Sequence, residues 1–86
     1  MKYVVRYATV IERAADLPTV FPRHKAYLDA FEPANDVIGI GTFDDPVANG
    51  SMAIFATLES ARRFVAADPF VVEGLVTPSE PLGWNA

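Results

Sequence analysis

Apolar and polar positions first alternate and then recur at helical spacing, and the changes of period divide the chain into six elements. Residues 2–10 are rich in Val and Tyr and contain neither Gly nor Pro, which predicts a first strand. A polar connection over 12–16 follows. Pro18 and Pro22 fit the first turn of a helix but not its middle, so the regular helix is expected to start near Pro22. It runs to about Glu32, where Pro33 stops it. His24, Leu28 and Phe31 fall at i, i+4 and i+7 and share one face. Residues 37–43 (VIGIGTF) predict a second strand, loosened by Gly39 and Gly41. Asp44-Asp45-Pro46 and Asn49-Gly50 are turn signals, so 51–56 (SMAIFA) returns as a hairpin strand. Thr57 is placed to cap a helix from Leu58 to about Ala67, striped by Leu58, Ala61, Phe64 and Val65. Asp68-Pro69 closes that helix. Residues 70–74 read as an irregular link, and 75–82 as a weak last strand limited by Pro78 and Pro81.

The order β-α-β-β-α-β predicts an α+β, ferredoxin-like domain: a four-stranded antiparallel sheet with both helices on one face. The strands, however, are apolar on both faces. Ala53 and Phe55 oppose Met52, Ile54 and Ala56; Tyr3, Val5 and Tyr7 oppose Val4, Ala8 and Val10. Two short helices cover one face only. A second copy, packed sheet to sheet, is the expected cover for the other, which predicts a homodimer.

Composition narrows the function classes. Eighty-six residues fit one domain, 1–86, and 51% hydrophobic content is rich for so small a chain. The absence of Cys rules out disulfides, and with a single His no soft metal site and no cofactor are expected. A net charge of −4 argues against nucleic acid, which calls for a basic face. No run approaches the roughly 20 apolar residues of a membrane span, and charge comes too early for a secretory leader. A cytoplasmic protein with no membrane partner is expected. Gly39-Ile40-Gly41 lies inside a strand, which excludes a phosphate loop.

His24 is the only imidazole, able to give or take a proton near neutrality, or else a half-buried residue near a helix start. Asp68 either bonds nearby backbone at a turn or serves another group, because a helix C-terminus gives a carboxylate no dipole benefit. With both helices on one side of the sheet, a His24–Asp68 pair is geometrically plausible; the aspartate would fix the ring's tautomer and orientation. Ser51 either opens a strand or adds a hydroxyl at the mouth of the site. Arg6 either makes an ion pair or holds an anionic substrate. Tyr3, Tyr7 and Trp84 belong to a core, an interface or the wall of an aromatic-friendly cavity. Asp44 and Asp45 read as a turn.

Pro22-Arg23-His24 with Tyr27-Leu28, then Gly41, Gly50-Ser51, Ala66-Ala67-Asp68-Pro69-Phe70 and Gly74-Leu75, resembles the YCII-related (YciI-like) family over nearly the whole chain. The resemblance implies a dimeric α/β barrel of ferredoxin-like subunits, whose hallmark histidine and aspartate fall on His24 and Asp68. One characterised branch is dehydrochlorinase-like, and related barrels include muconolactone isomerases and cofactor-free oxygenases. Two positions depart from the family's pattern: Phe21 stands where Arg is common, and Thr42 where Pro is common. The expected function is a cofactor-independent lyase or isomerase acting on a small polar or aromatic molecule, with His24 and Asp68 catalytic and Ser51 and Arg6 binding substrate. The alternative is a non-catalytic small-molecule-binding or accessory dimeric protein.

Overall fold

The computed structural model describes residues 1–86. In chain order the elements are β1 (Lys2–Thr9), a 3₁₀ segment (Ile11–Asp16), α1 (Leu17–Ala30), a 3₁₀ turn (Ala34–Asp36) and β2 (Val37–Thr42). They continue with α2 (Pro46–Asn49), β3 (Ser51–Phe55), α3 (Leu58–Ala67), α4 (Pro69–Val72), β4 (Val76–Pro78) and β5 (Leu82–Trp84). All strand pairings are antiparallel, in the order β2-β3-β1-β4, with β5 pairing the other end of β1's outer edge. No helix is long and apolar enough to cross a membrane.

Three boundaries differ from expectation, and proline chemistry explains each. α1 begins at Leu17 because Pro18 occupies the first turn, where no N–H is needed. Pro22 lies inside the helix, leaving the Pro18 carbonyl without its i+4 donor. The expected link over 70–74 begins instead with a short helix, Pro69–Val72, with Asp68 as its N-cap. The single last strand is two strands, β4 and β5, because Pro78 and Pro81 interrupt the pairing that one continuous strand would need. The α3 helix keeps its expected bounds, and the Thr57 side chain accepts from the Ser60 N–H at 3.1 Å.

Register fixes which side chains face the helices. Val5 pairs Ala53, Ile40 pairs Ala53 and Val37 pairs Phe55, so these residues share the inner face. There Val5, Ala53, Phe55, Ala61 and Phe64 are fully buried. The Phe64 ring packs against Tyr27, Phe31 and Phe55 with centroids 5.0, 5.1 and 5.4 Å away. The outer face carries Val4, Met52, Ile54, Leu82 and Trp84, and nothing lies within 4 Å of a Cβ built on Gly39 or Gly41. The two apolar faces expected from the strand pattern are therefore present: the helices cover one and leave the other open.

Gly50 locks the hairpin against β1. Its φ of +76° suits glycine, and an added Cβ would sit 2.0 Å from the Tyr7 carbonyl oxygen. No other residue fits without separating β3 from β1.

Truncating the centre of the aromatic cluster should be costly. Phe64→Ala is expected to lower unfolding free energy by about 3–5 kcal/mol, read from the urea midpoint at constant m-value.

Candidate functional site

His24 comes from the interior of α1, since that helix begins a full turn earlier than expected. Its Nδ1 lies 2.8 Å from Asp68 Oδ1, and both side chains are buried. An ionised carboxylate only accepts, so Nδ1–H donates to it, and in the neutral tautomer of the ring that leaves the lone pair on Nε2. Asp68 stands between α3 and α4, and the same Oδ1 accepts from the Phe70 N–H at 3.0 Å. Both sequence readings of Asp68 therefore hold together: the carboxylate caps a backbone turn and binds the imidazole. The Phe70 ring stacks on the His24 ring, centroids 4.4 Å apart and planes 18° from parallel. A hydrogen bond in the ring plane and a stack across it leave the imidazole little freedom to rotate.

The pair borders a cavity of about 470 Å³ between α1 and the inner face of the sheet. That volume lies within the usual range for small-molecule sites. Leu17, Pro18, Phe21, Leu28, Ile40 and Val76 supply much of its apolar wall. On the sheet side its floor carries a rung of hydroxyl residues. Tyr7 on β1 is registered with Ser51 on β3, which is registered with Thr42 on β2, and all three line the cavity.

Tyr7 is the member of this rung whose chemistry went unread in the sequence. The residue is 5% exposed, and its hydroxyl is buried with no hydrogen-bond partner in the protein. Leaving such a group unsatisfied costs about 1–3 kcal/mol. Desolvation first, and the nearby Asp68 charge second, raise its pKa above the ordinary tyrosine value. The phenol thus keeps its proton and acts as a donor. Tyr27 offers a contrast, because its hydroxyl donates to the Phe64 carbonyl at 2.9 Å and is satisfied there. Period-2 patterning could place Tyr7 on the inner face, but only the register against Ser51 shows it at the cavity.

Of the expected site residues, His24, Asp68 and Ser51 line the cavity and Arg6 does not. Arg6 requires correction: its odd–even position on β1 puts it on the outer face, where its guanidinium lies 5.4 Å from the centre of the Phe43 ring. Trp84 also lies on the outer face, and Tyr3 packs against the core. Phe21 and Thr42, the two departures from the family pattern, both line the cavity. Asp45 takes a left-handed conformation, φ 50°, at the turn before α2. No three His, Asp or Glu side chains converge as metal ligands would.

No protein-family model matches the chain, and no curated protein matches it. The resemblance to the YCII-related family therefore rests on the motifs alone.

The raised pKa of Tyr7 has a consequence for stability. Above about pH 10 the unfolded chain releases this proton while the folded chain keeps it. Its contribution is thus present below that pH and lost as pH rises further, by up to about 1.4 kcal/mol per unit. Tyr7→Phe is expected to lose less stability than wild type between pH 10 and 11, measured by urea unfolding.

Proposed function

We propose that the protein is a small cofactor-independent lyase or isomerase that moves protons on a small polar or aromatic molecule. The observation that carries this reading is the His24–Asp68 hydrogen bond beside a mostly apolar cavity. His24 Nε2 is the base that takes a proton from bound substrate and returns it. Asp68 holds the ring's tautomer and stabilises the imidazolium formed in between. Ser51, on the cavity floor, binds a substrate oxygen. Asp68 is nearly sealed from water, which strengthens its interaction with the ring.

The test uses small cyclic ketones and hydroxylated aromatics in D2O, following solvent exchange of carbon-bound protons by NMR. His24→Gln is expected to slow exchange by at least about 10²-fold, and Asp68→Asn by less. Equal rates in wild type and His24→Gln would sink the catalytic reading. Binding of the panel without exchange would favour a non-catalytic binder.

The same proposal includes the subunit arrangement. A ferredoxin-like subunit whose outer face bears Val4, Ile54, Leu82 and Trp84 has an apolar surface that a second copy would cover. Leu82 and Trp84 are 61% and 45% exposed in the isolated chain, which is costly for side chains of this size. A homodimer through the sheet faces is expected by light scattering at micromolar concentration. A monomer there would overturn the arrangement, and Trp84→Asp should weaken the dimer at least tenfold.

A further inference from the structure

One large apolar side chain is left open at the cavity. Among the exposed large hydrophobic residues, Phe21 is the one that lines it, and 52% of the residue is accessible. Phe21 belongs to α1, on the helix side of the sheet, so a second copy packed on the outer face would not cover it. Its aromatic neighbours do not cover it either. His24 and Phe70 stack on one another at 4.4 Å with planes 18° apart. Phe21 stands off from both, at 6.1 and 6.5 Å, and is tilted from them by 38° and 36°. Aromatic surface therefore remains open beside the imidazole.

The rest of the lining limits what can use that surface. Most of it is apolar, and its reachable polar groups are neutral. His24 keeps 11% of its side chain open, and the half-buried Ser51 offers a hydroxyl from the floor. Lys25 also lines the cavity, but its ammonium is held by both carboxylate oxygens of Asp29 at 2.6 and 2.8 Å. Arg23, next to Phe21, is paired with Glu73. No free cation is present to hold an anion.

We propose that Phe21 is a specificity-determining residue of this site, its open ring packing against the flat ring of a neutral, monocyclic aromatic ligand. The inference rests on the catalytic reading of the same cavity and names the ring type it takes. Two aromatic rings with centroids 4.5–7 Å apart gain attraction beyond the burial of their area, because the edge of one meets the face of the other. A saturated ring of the same size gains burial alone. Transfer out of water by itself favours the saturated ring, which is the more apolar of the two. A preference for the flat ring therefore reports contact with an aromatic wall and not the general hydrophobicity of the cavity.

The probes are benzyl alcohol and cyclohexylmethanol, which carry the same neutral CH2OH group on a flat and a puckered six-membered ring. Binding is followed by NMR from the imidazole signals of the only histidine. Wild type is expected to bind benzyl alcohol about 2- to 12-fold more tightly, the range that an aromatic pair contributes. Phe21→Leu keeps apolar surface at an exposed position and removes the ring, so the preference should vanish or reverse there. A second readout uses the six phenylalanines of the wild type. The ring protons that are missing from Phe21→Leu should be among those shifted by benzyl alcohol, whose ring current cyclohexylmethanol lacks. The same preference in both proteins, no preference or the opposite one in wild type, or no binding of either probe overturns the proposal. A Phe21-dependent preference without exchange of carbon-bound protons in any compound tested upholds the ring selection and removes the catalytic reading. Exchange without a Phe21-dependent preference does the reverse, so the two fail separately.

Discussion

Asp68 Oδ1 accepts from the His24 ring and from the Phe70 amide, and both bonds cross boundaries between helical segments. The first ties the end of α3 to the middle of α1. The second starts α4, whose Phe70 then stacks on the imidazole that the same oxygen holds. A carboxylate buried this deeply would be strongly penalised without charge-assisted partners. The geometry that makes the aspartate tolerable is also the geometry that orients the histidine. Stability and site chemistry thus draw on one atom, and a substitution there disturbs the helix junction as well as the imidazole.

The inner face of the sheet is divided along its strands. Toward Tyr3 and Phe55 it carries the aromatic cluster centred on Phe64. Toward Tyr7, Ser51 and Thr42 it carries the cavity floor. The division follows from the small size of the chain: α3 packs over one end of the sheet, while α1 spans the other at a distance that leaves space beneath it. Gly50 makes the second end possible by letting the hairpin close directly on the Tyr7 backbone. Moving that contact outward would displace Ser51 and Tyr7 from their shared rung.

Much of this was legible in the sequence, for identifiable reasons. Strand alternation separated Ala53 and Phe55 from Met52 and Ile54, because period 2 survives any small error in strand ends. Thr57 and Asp68-Pro69 bracketed α3 because capping and pre-proline sterics act locally. Those local rules reached His24 and Asp68 but not the distance between them, which depends on how α1 and α4 pack. Pro22 misled because its cost, a lost hydrogen bond and a clash with the preceding turn, is borne by a helix that begins a turn earlier and continues to Ala30. Arg6 was misplaced because a strand's charged residue says nothing about which face holds the site. Tyr7 was read as one of three aromatics for a core, an interface or a cavity wall, but its unpartnered hydroxyl was not, because that is a property of three-dimensional surroundings and no spacing along the chain encodes it.

The two positions at which the chain differs from the YCII-related motifs it resembles both border this cavity. Phe21 lies 6.5 Å from the Phe70 ring and 6.1 Å from the His24 ring, centroid to centroid. Where an arginine would place a cation at the cavity wall, the phenylalanine places an apolar surface beside the imidazole. Thr42 puts a hydroxyl at the end of the Ser51–Tyr7 rung where proline would offer none. Phe21 offers no partner to an anion, and Thr42 carries a hydroxyl without formal charge. Each is a small part of the cavity lining. Together they give that part of the lining apolar surface and a neutral hydroxyl, with Asp68 the carboxylate that orients the imidazole beside it.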